Sequence, residues 1–145
     1  TDVEAAVAHG LRLVEQGADI LDIGGESTRP GAEPVAAQLE LERVLPVIAG
    51  LRACWDGPIS IDTMKPRVAE AAVGAGATIW NDVTALSWSA ESLPAAARLG
   101  CTVVLMHMKG EPRTMQAAPA YADVVGEVRD HLLARAAAAE GAGVA

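Results

Sequence analysis

ADILDIGGESTRPGAE, residues 18–33, is the stretch that decides the fold. Ile20, Leu21 and Ile23 form a short apolar run that stops at Gly24 and Gly25. A polar segment with Glu26, Ser27, Thr28 and Arg29 follows, and Pro30 and Gly31 turn the chain. A buried strand that ends abruptly in hydroxyls, a cation and turn residues is how an α/β enzyme presents a ligand-facing loop. The same layout recurs downstream. Asp62 ends ISID, Asn81 and Asp82 follow TIW, and His107 ends TVVLMH. Polar residues at the carboxyl ends of successive strands mark the active-site face of a β/α architecture.

Around these strands the pattern alternates. Val3, Val7, Leu11 and Val14 share one helical face, with Gly17 placed to end that helix. The first strand spans about residues 19–24. A second helix starts near Pro34, with Leu41, Val44, Leu45, Ile48 and Leu51 on its apolar side, and Pro46 is expected to kink or split it. The second strand is 59–62, and a short helix over 64–75 is expected to be capped by Asp62 or Thr63. The third strand covers about 78–83. Ser92 and Pro94 read as the N-cap and first turn of a helix ending at Gly100. The fourth strand, 102–106, is an apolar run of the kind buried on both faces. A long loop, 109–119, leads to a last helix with Val124, Val128, Leu132 and Ala136 on one side. Four consecutive parallel βα units result, about half the wall of a TIM-type (β/α)8 barrel, which needs roughly 250 residues when complete. The 145 residues are therefore expected to form one domain, a partial barrel.

Composition narrows the function. A net charge of −8, with no Lys/Arg-rich run and no aromatic platform, excludes a nucleic-acid footprint. No apolar run approaches membrane-spanning length, so no membrane partner is expected. Cys54 and Cys101 lack metal-ligand spacing and read as free thiols, which fits a cytoplasmic protein. GGESTRPG lacks the Gly-Lys-Ser/Thr ending of a P-loop.

The residue chemistry leaves alternatives open. Asp62 can accept paired N–H bonds from a flat amino-heterocycle and offset nearby positive charge, or it can simply cap the following helix. Asn81 offers a donor and an acceptor, or makes a turn after its strand. Met106 suits packing against a flat ring, or the barrel core. Arg29, with the hydroxyl of Thr28, can grip an anion, or stay solvated on the surface. His107 reads as a structural histidine at a strand end, and His9 and His131 as surface or packing residues in helices.

GGESTRPGA, PISIDTMKPRVAEAA, WNDVTAL and LMHMKGEPRTMQ together resemble the dihydropteroate synthases, of the pterin-binding family, in the family's order. The resemblance implies a transferase of folate biosynthesis that joins p-aminobenzoate to 6-hydroxymethyl-7,8-dihydropterin diphosphate, with both small molecules as partners. It makes Asp62 a catalytic and pterin-binding residue and Asn81 and Met106 pterin contacts. It places Thr28 on the diphosphate, Arg29 near the aminobenzoate, and Pro30 and Pro112 near the second-substrate pocket. It implies magnesium, held by a family ligand outside these residues, and a homodimer for the full-length enzyme. By the same resemblance, residues 1–145 lack the family's first strand and the C-terminal part of the barrel, so the chain alone is expected to be inactive. The competing expectations are a methyltetrahydrofolate:corrinoid methyltransferase-like pterin barrel, which is not expected to carry the STRPG and MHMKGEPRTMQ segments, and a non-catalytic half-barrel binding module.

Overall fold

The computed structural model describes residues 2–27, 29, 33–110 and 119–144. Within them the order is α1 (Val3–Glu15), β1 (Leu21–Gly24), α2 (Ala37–Arg52), β2 (Ile59–Asp62), α3 (Pro66–Gly74), β3 (Ile79–Asp82), α4 (Ser92–Leu99), β4 (Thr102–Leu105) and α5 (Val124–Gly141). The four strands are parallel, in the order β1-β2-β3-β4. Because right-handed crossovers between strands laid down in sequence order always return on the same side, the helices all cover one face. This is the expected alternation, rolled in the sense of a barrel wall.

Strand periodicity divides the residues between two environments. Leu21, Ile59, Ile61 and Trp80 point into the helical layer and are buried, with Ile23, Val103 and Leu105 packed beside them. Asp22, Gly24, Ser60, Asp62, Ile79, Asn81, Thr102 and Val104 alternate with them and so share the other face. Val104 is 45% exposed, so β4 is not buried on both faces as its apolar run suggests.

Helix packing explains several local choices. Asp2 caps α1 by accepting from Ala5 N at 3.1 Å. A Cβ on Gly10 would lie 2.8 Å from Leu51 Cδ2, and one on Gly50 would lie 2.7 Å from Val7 Cγ2. Paired glycines thus let α1 and α2 approach more closely than any larger residue allows.

Four expectations are corrected. Pro46 does not split α2, because Val44, Val47, Ile48 and Leu51 are buried on both sides of it and clamp the two halves as one helix. Neither Asp62 nor Thr63 is the N-cap of α3. That position is Lys65, whose N donates to Thr63 Oγ1 at 3.2 Å, while Pro66 opens the helix with no N–H to satisfy. Ser92 is the first residue of α4 rather than its N-cap, which is Glu91, and the Ser92 hydroxyl accepts from Ser89 N at 3.2 Å. In α5 only Val124, 52% exposed, leaves the expected apolar face: Val128, Leu132 and Ala136 are half-buried, in line with the buried Ala139. Gly100 does end α4, in the left-handed conformation.

Candidate active site

The carboxyl ends of the strands gather the polar residues. Asp62 is the last residue of β2 and pairs in register with Gly24 of β1 and Asn81 of β3. Its Oδ1 is buried and, among the described residues, has no hydrogen-bond partner. Buried carboxylate oxygens are almost always satisfied, so an orphaned one is a group short of a donor. No N–H of α3 reaches it, which removes its reading as a helix cap. Burial pushes the Asp62 carboxyl up from 3.8 to about 6, and the charges of Asp22, Asp82, Glu40 and Glu26 add to the rise.

An open cavity of about 530 Å³ lies in front of Asp62, lined also by Gly24, Gly25, Ser27, Arg29 and Arg43. Arg29 and Asp62 are thereby brought to one space. Arg29 is exposed, with its N donating to Ser27 Oγ at 3.4 Å. Asn81 stands beside Asp62 on the same face of the sheet, half-buried, and donates from Nδ2 to Asp22 Oδ2 at 3.3 Å. Met106 follows β4 directly and is half-buried, outside that lining. Thr28, Pro30 and Pro112 lie outside the described residues. His107 packs against Tyr121 and edge-on against His131, with centroids 5.9 and 5.0 Å apart. Burial, with the His107 and Arg135 charges, lowers the His131 imidazole.

Sequence reasoning missed the framework behind the site. Lys65, three residues after Asp62, is paired with Glu26 and lies 2.6 Å from Glu40 Oε2. Thr63 Oγ1 donates to Glu40 Oε1 at 2.6 Å, and Glu26 Oε1 accepts from Val35 N at 2.9 Å. Arg43 donates to Gly25 O at 2.8 Å. Burial alone would lower the Lys65 ammonium, but its hydrogen bonds to Glu26 and Glu40 outweigh that and hold it above its usual value. Glu40 is fully buried although it sits in a helix that reads as amphipathic. The sequence carried no signal of that burial, because a glutamate at such a helical position is ordinarily solvated.

β3 is braced in the same way. Asp82, fully buried, accepts from Thr84 N and Oγ1 at 2.8 Å and from Leu86 N at 3.0 Å. These bonds shape a turn in which Ala85 and Leu86 both adopt left-handed backbone, with φ of 51° and 60°. Arg135 of α5 donates to the Ala85 and Leu86 carbonyls at 2.7 and 3.0 Å. Trp80 Nε1 donates to Thr63 O at 2.8 Å and ties β3 to the segment after β2. All of the hydrogen bonds given for Asp82 thus serve the turn after β3.

Among the described residues no three His, Cys, Asp or Glu side chains are grouped to hold a metal ion. Both cysteines are free, and no described helix is long and apolar enough to cross a membrane.

A parallel sheet whose strand ends converge on an orphaned carboxylate defines a ligand-binding β/α enzyme face. The family described as "Pterin binding enzyme" matches residues 1–145, and the chain belongs to it. It is 46% identical over 140 residues to dihydropteroate synthase of Escherichia coli (strain K12), covering 97% of this chain and 49% of that protein. Xanthomonas albilineans dihydropteroate synthase with 4-aminobenzoic acid superposes with a TM-score of 0.92 at 56% identity, covering 100% of this chain and 50% of that one. The same organism's enzyme in complex with 7,8-dihydropteroate gives 0.85 at 51% identity, over 100% and 49%. The chain thus spans about half the length of the curated relatives it matches.

Proposed function

We propose that this chain supplies the pterin-facing half of a dihydropteroate synthase, which joins p-aminobenzoate to 6-hydroxymethyl-7,8-dihydropterin diphosphate with release of diphosphate. The observation that carries the proposal is Asp62 itself, a residue lining the open cavity at the strand ends whose buried Oδ1 has no partner among the described residues. A pterin presents an amino group beside a ring N–H, the donor pair that a strand-end carboxylate accepts in parallel. In the dissociative route the C–O bond to diphosphate breaks first and leaves a cationic methylene, which the aromatic amine then attacks with loss of a proton. Asp62 orients the ring and lowers the energy of that cation, since an anion fixed in a dry site needs no reorganisation when charge develops. Arg29, which lines the same cavity, supplies a planar cation for the diphosphate or the aminobenzoate carboxylate. Asn81 and Met106 contact the pterin, and Thr28, Pro30 and Pro112 take the roles that the family resemblance gives them. Magnesium, if it serves the reaction, takes its ligands from outside the described residues. The complete enzyme is a cytoplasmic homodimer.

The test is a chimera in which this chain replaces the matching half of the Escherichia coli enzyme. Dihydropteroate formation that is lost on Asp62→Ala is the expected result. An Asp62→Ala chimera with undiminished turnover and pterin affinity would overturn the assignment. The chain by itself is expected to form no dihydropteroate, and turnover comparable to the chimera's would show that the site is complete without the rest of the barrel.

A further inference from the structure

Asp22 is a carboxylate on the inner face for which the reaction just described has no use. It lies in β1, exposed, and its register partner in β2 is Ser60. Asn81 lies in β3, where its register partner in β2 is Asp62. β1 and β3 are therefore not neighbours, yet Asp22 Oδ2 and Asn81 Nδ2 are 3.3 Å apart. The bond spans the whole width of β2. The residue in register with Asp22 there is the small Ser60, itself only 4% exposed, which leaves room for the two side chains to meet above the sheet. An ionised carboxylate has no proton to give, so Asn81 must turn one N–H of its NH2 group toward Asp22, which fixes where its Oδ1 and its second N–H stand.

Asp62 also presents an acceptor, its Oδ1, which has no partner among the described residues. A ligand edge that fits both must carry N–H donors toward Asp62 and toward Asn81 Oδ1. If Asn81 were free to rotate, its amide could serve an acceptor edge as readily as a donor edge, and the site would lose discrimination. We propose that Asp22 is a positioning residue that fixes the amide orientation of Asn81 and so selects a donor-rich heterocycle edge. The proposal rests on the pterin reading of the site. Asp22 acts through Asn81 and touches no reacting atom.

Its charge also stands near Asp62, so the test separates orientation from electrostatics. Pteroic acid is titrated calorimetrically into the chimera carrying Asp22→Ala, Asp22→Asn, Asn81→Ala and the Asp22→Ala/Asn81→Ala pair. Asp22→Asn keeps an acceptor for the Asn81 amide but removes the charge. The expected result is a loss of about tenfold for Asp22→Ala, the size of one lost orienting hydrogen bond, and a loss within about threefold for Asp22→Asn. Asp22→Ala should add less than about twofold once Asn81 is already Ala, since the two act as one unit. Equal losses for Asp22→Ala and Asp22→Asn would make the effect one of charge and overturn the proposal. So would full additivity with Asn81→Ala, or no effect at all. In the chain itself, the Asn81 side-chain amide is followed by nitrogen-15 NMR, and Asp22→Ala should shift its resonances and speed its hydrogen exchange. An unmoved Asn81 amide overturns the contact. A wild-type chimera that binds no pteroic acid, with an Asn81 amide that does respond, would remove the pterin reading and with it the selectivity role, while leaving the Asp22–Asn81 contact standing.

Discussion

Asp62 works against the stability of the fold it belongs to. Its carboxyl is raised from 3.8 to about 6 by burial and then by the charges of Asp22, Asp82, Glu40 and Glu26, so the folded chain holds this proton more tightly than the unfolded one. Stability therefore falls as pH rises from 3.8 through about 6, and the loss persists above that window. The group is still partly seen by water, which screens the effect to roughly 1–2 kcal/mol. Asp62→Asn should raise the urea-unfolding free energy by that amount at pH 7 and leave it unchanged near pH 3. An equal effect at both pH values would mean that the gain is one of packing. The ligand dependence runs in the opposite direction, because donors on the ligand favour the ionised carboxylate. Pteroic acid affinity in the chimera should weaken as pH is lowered through 6. At this scale Asp62 and Asn81 were legible because each ends a strand run, and the structure removes the capping alternative for Asp62. Asp22 was not legible. It sits two residues before its strand's end, and its partner lies two strands away across a residue that had to be small.

The elements are held at the site end by bonds between segments distant in the chain. Lys65 joins Glu26 after β1 to Glu40 in α2, and Glu40 is fully buried. Lys65→Met would leave two carboxylates facing each other, one of them uncompensated inside the protein, at a cost of about 3–5 kcal/mol. Adding Glu40→Gln to Lys65→Met should recover at least half of that loss in urea denaturation. No recovery would show that Lys65 matters through packing of its stem instead. Arg135 does for β3 what Lys65 does for β1. Its two bonds to the carbonyls of the left-handed Ala85–Leu86 turn make Arg135→Ala a loss of about 2 kcal/mol by thermal or chemical unfolding. A change of less than about 0.5 kcal/mol would place the strength of that turn in Asp82 alone. The strands and helices were readable because periodicity and glycine punctuation act locally. The caps of α3 and α4 and the continuity of α2 through Pro46 were not, because neighbouring contacts in the folded chain decide them.

At the scale of the molecule, the described sheet has two outer strands, β1 and β4, each paired on one side, and an inner face on which Val104 is 45% exposed. Ile20, beside β1, is 52% exposed, and Val125 and Leu133 of α5 are 74% and 61% exposed. Unpaired strand edges flanked by apolar side chains recruit other strands. The chain at tens of micromolar should therefore sediment as a concentration-dependent mixture and bind a hydrophobic dye. A monomer with a single sharp unfolding transition and no dye binding would show that the four βα units form a self-sufficient domain.

Alternation along the strands has a consequence for redesign. Leu21, Ile59, Ile61 and Trp80 are committed to the helical layer, whereas Asp22, Ser60, Asp62, Asn81 and Val104 face away from it. The same short strands thus carry two interleaved alphabets, one spelling the scaffold and one spelling the ligand. A library confined to Asp22, Asn81 and Val104 should yield members that nearly all fold while differing in which heterocycle they hold. An equal-sized library at Leu21, Ile61 and Trp80 should yield mostly unfolded chains. The scaffold can be handed a new vocabulary of ligands through the set that faces away from the helices, without rewriting the grammar that folds it.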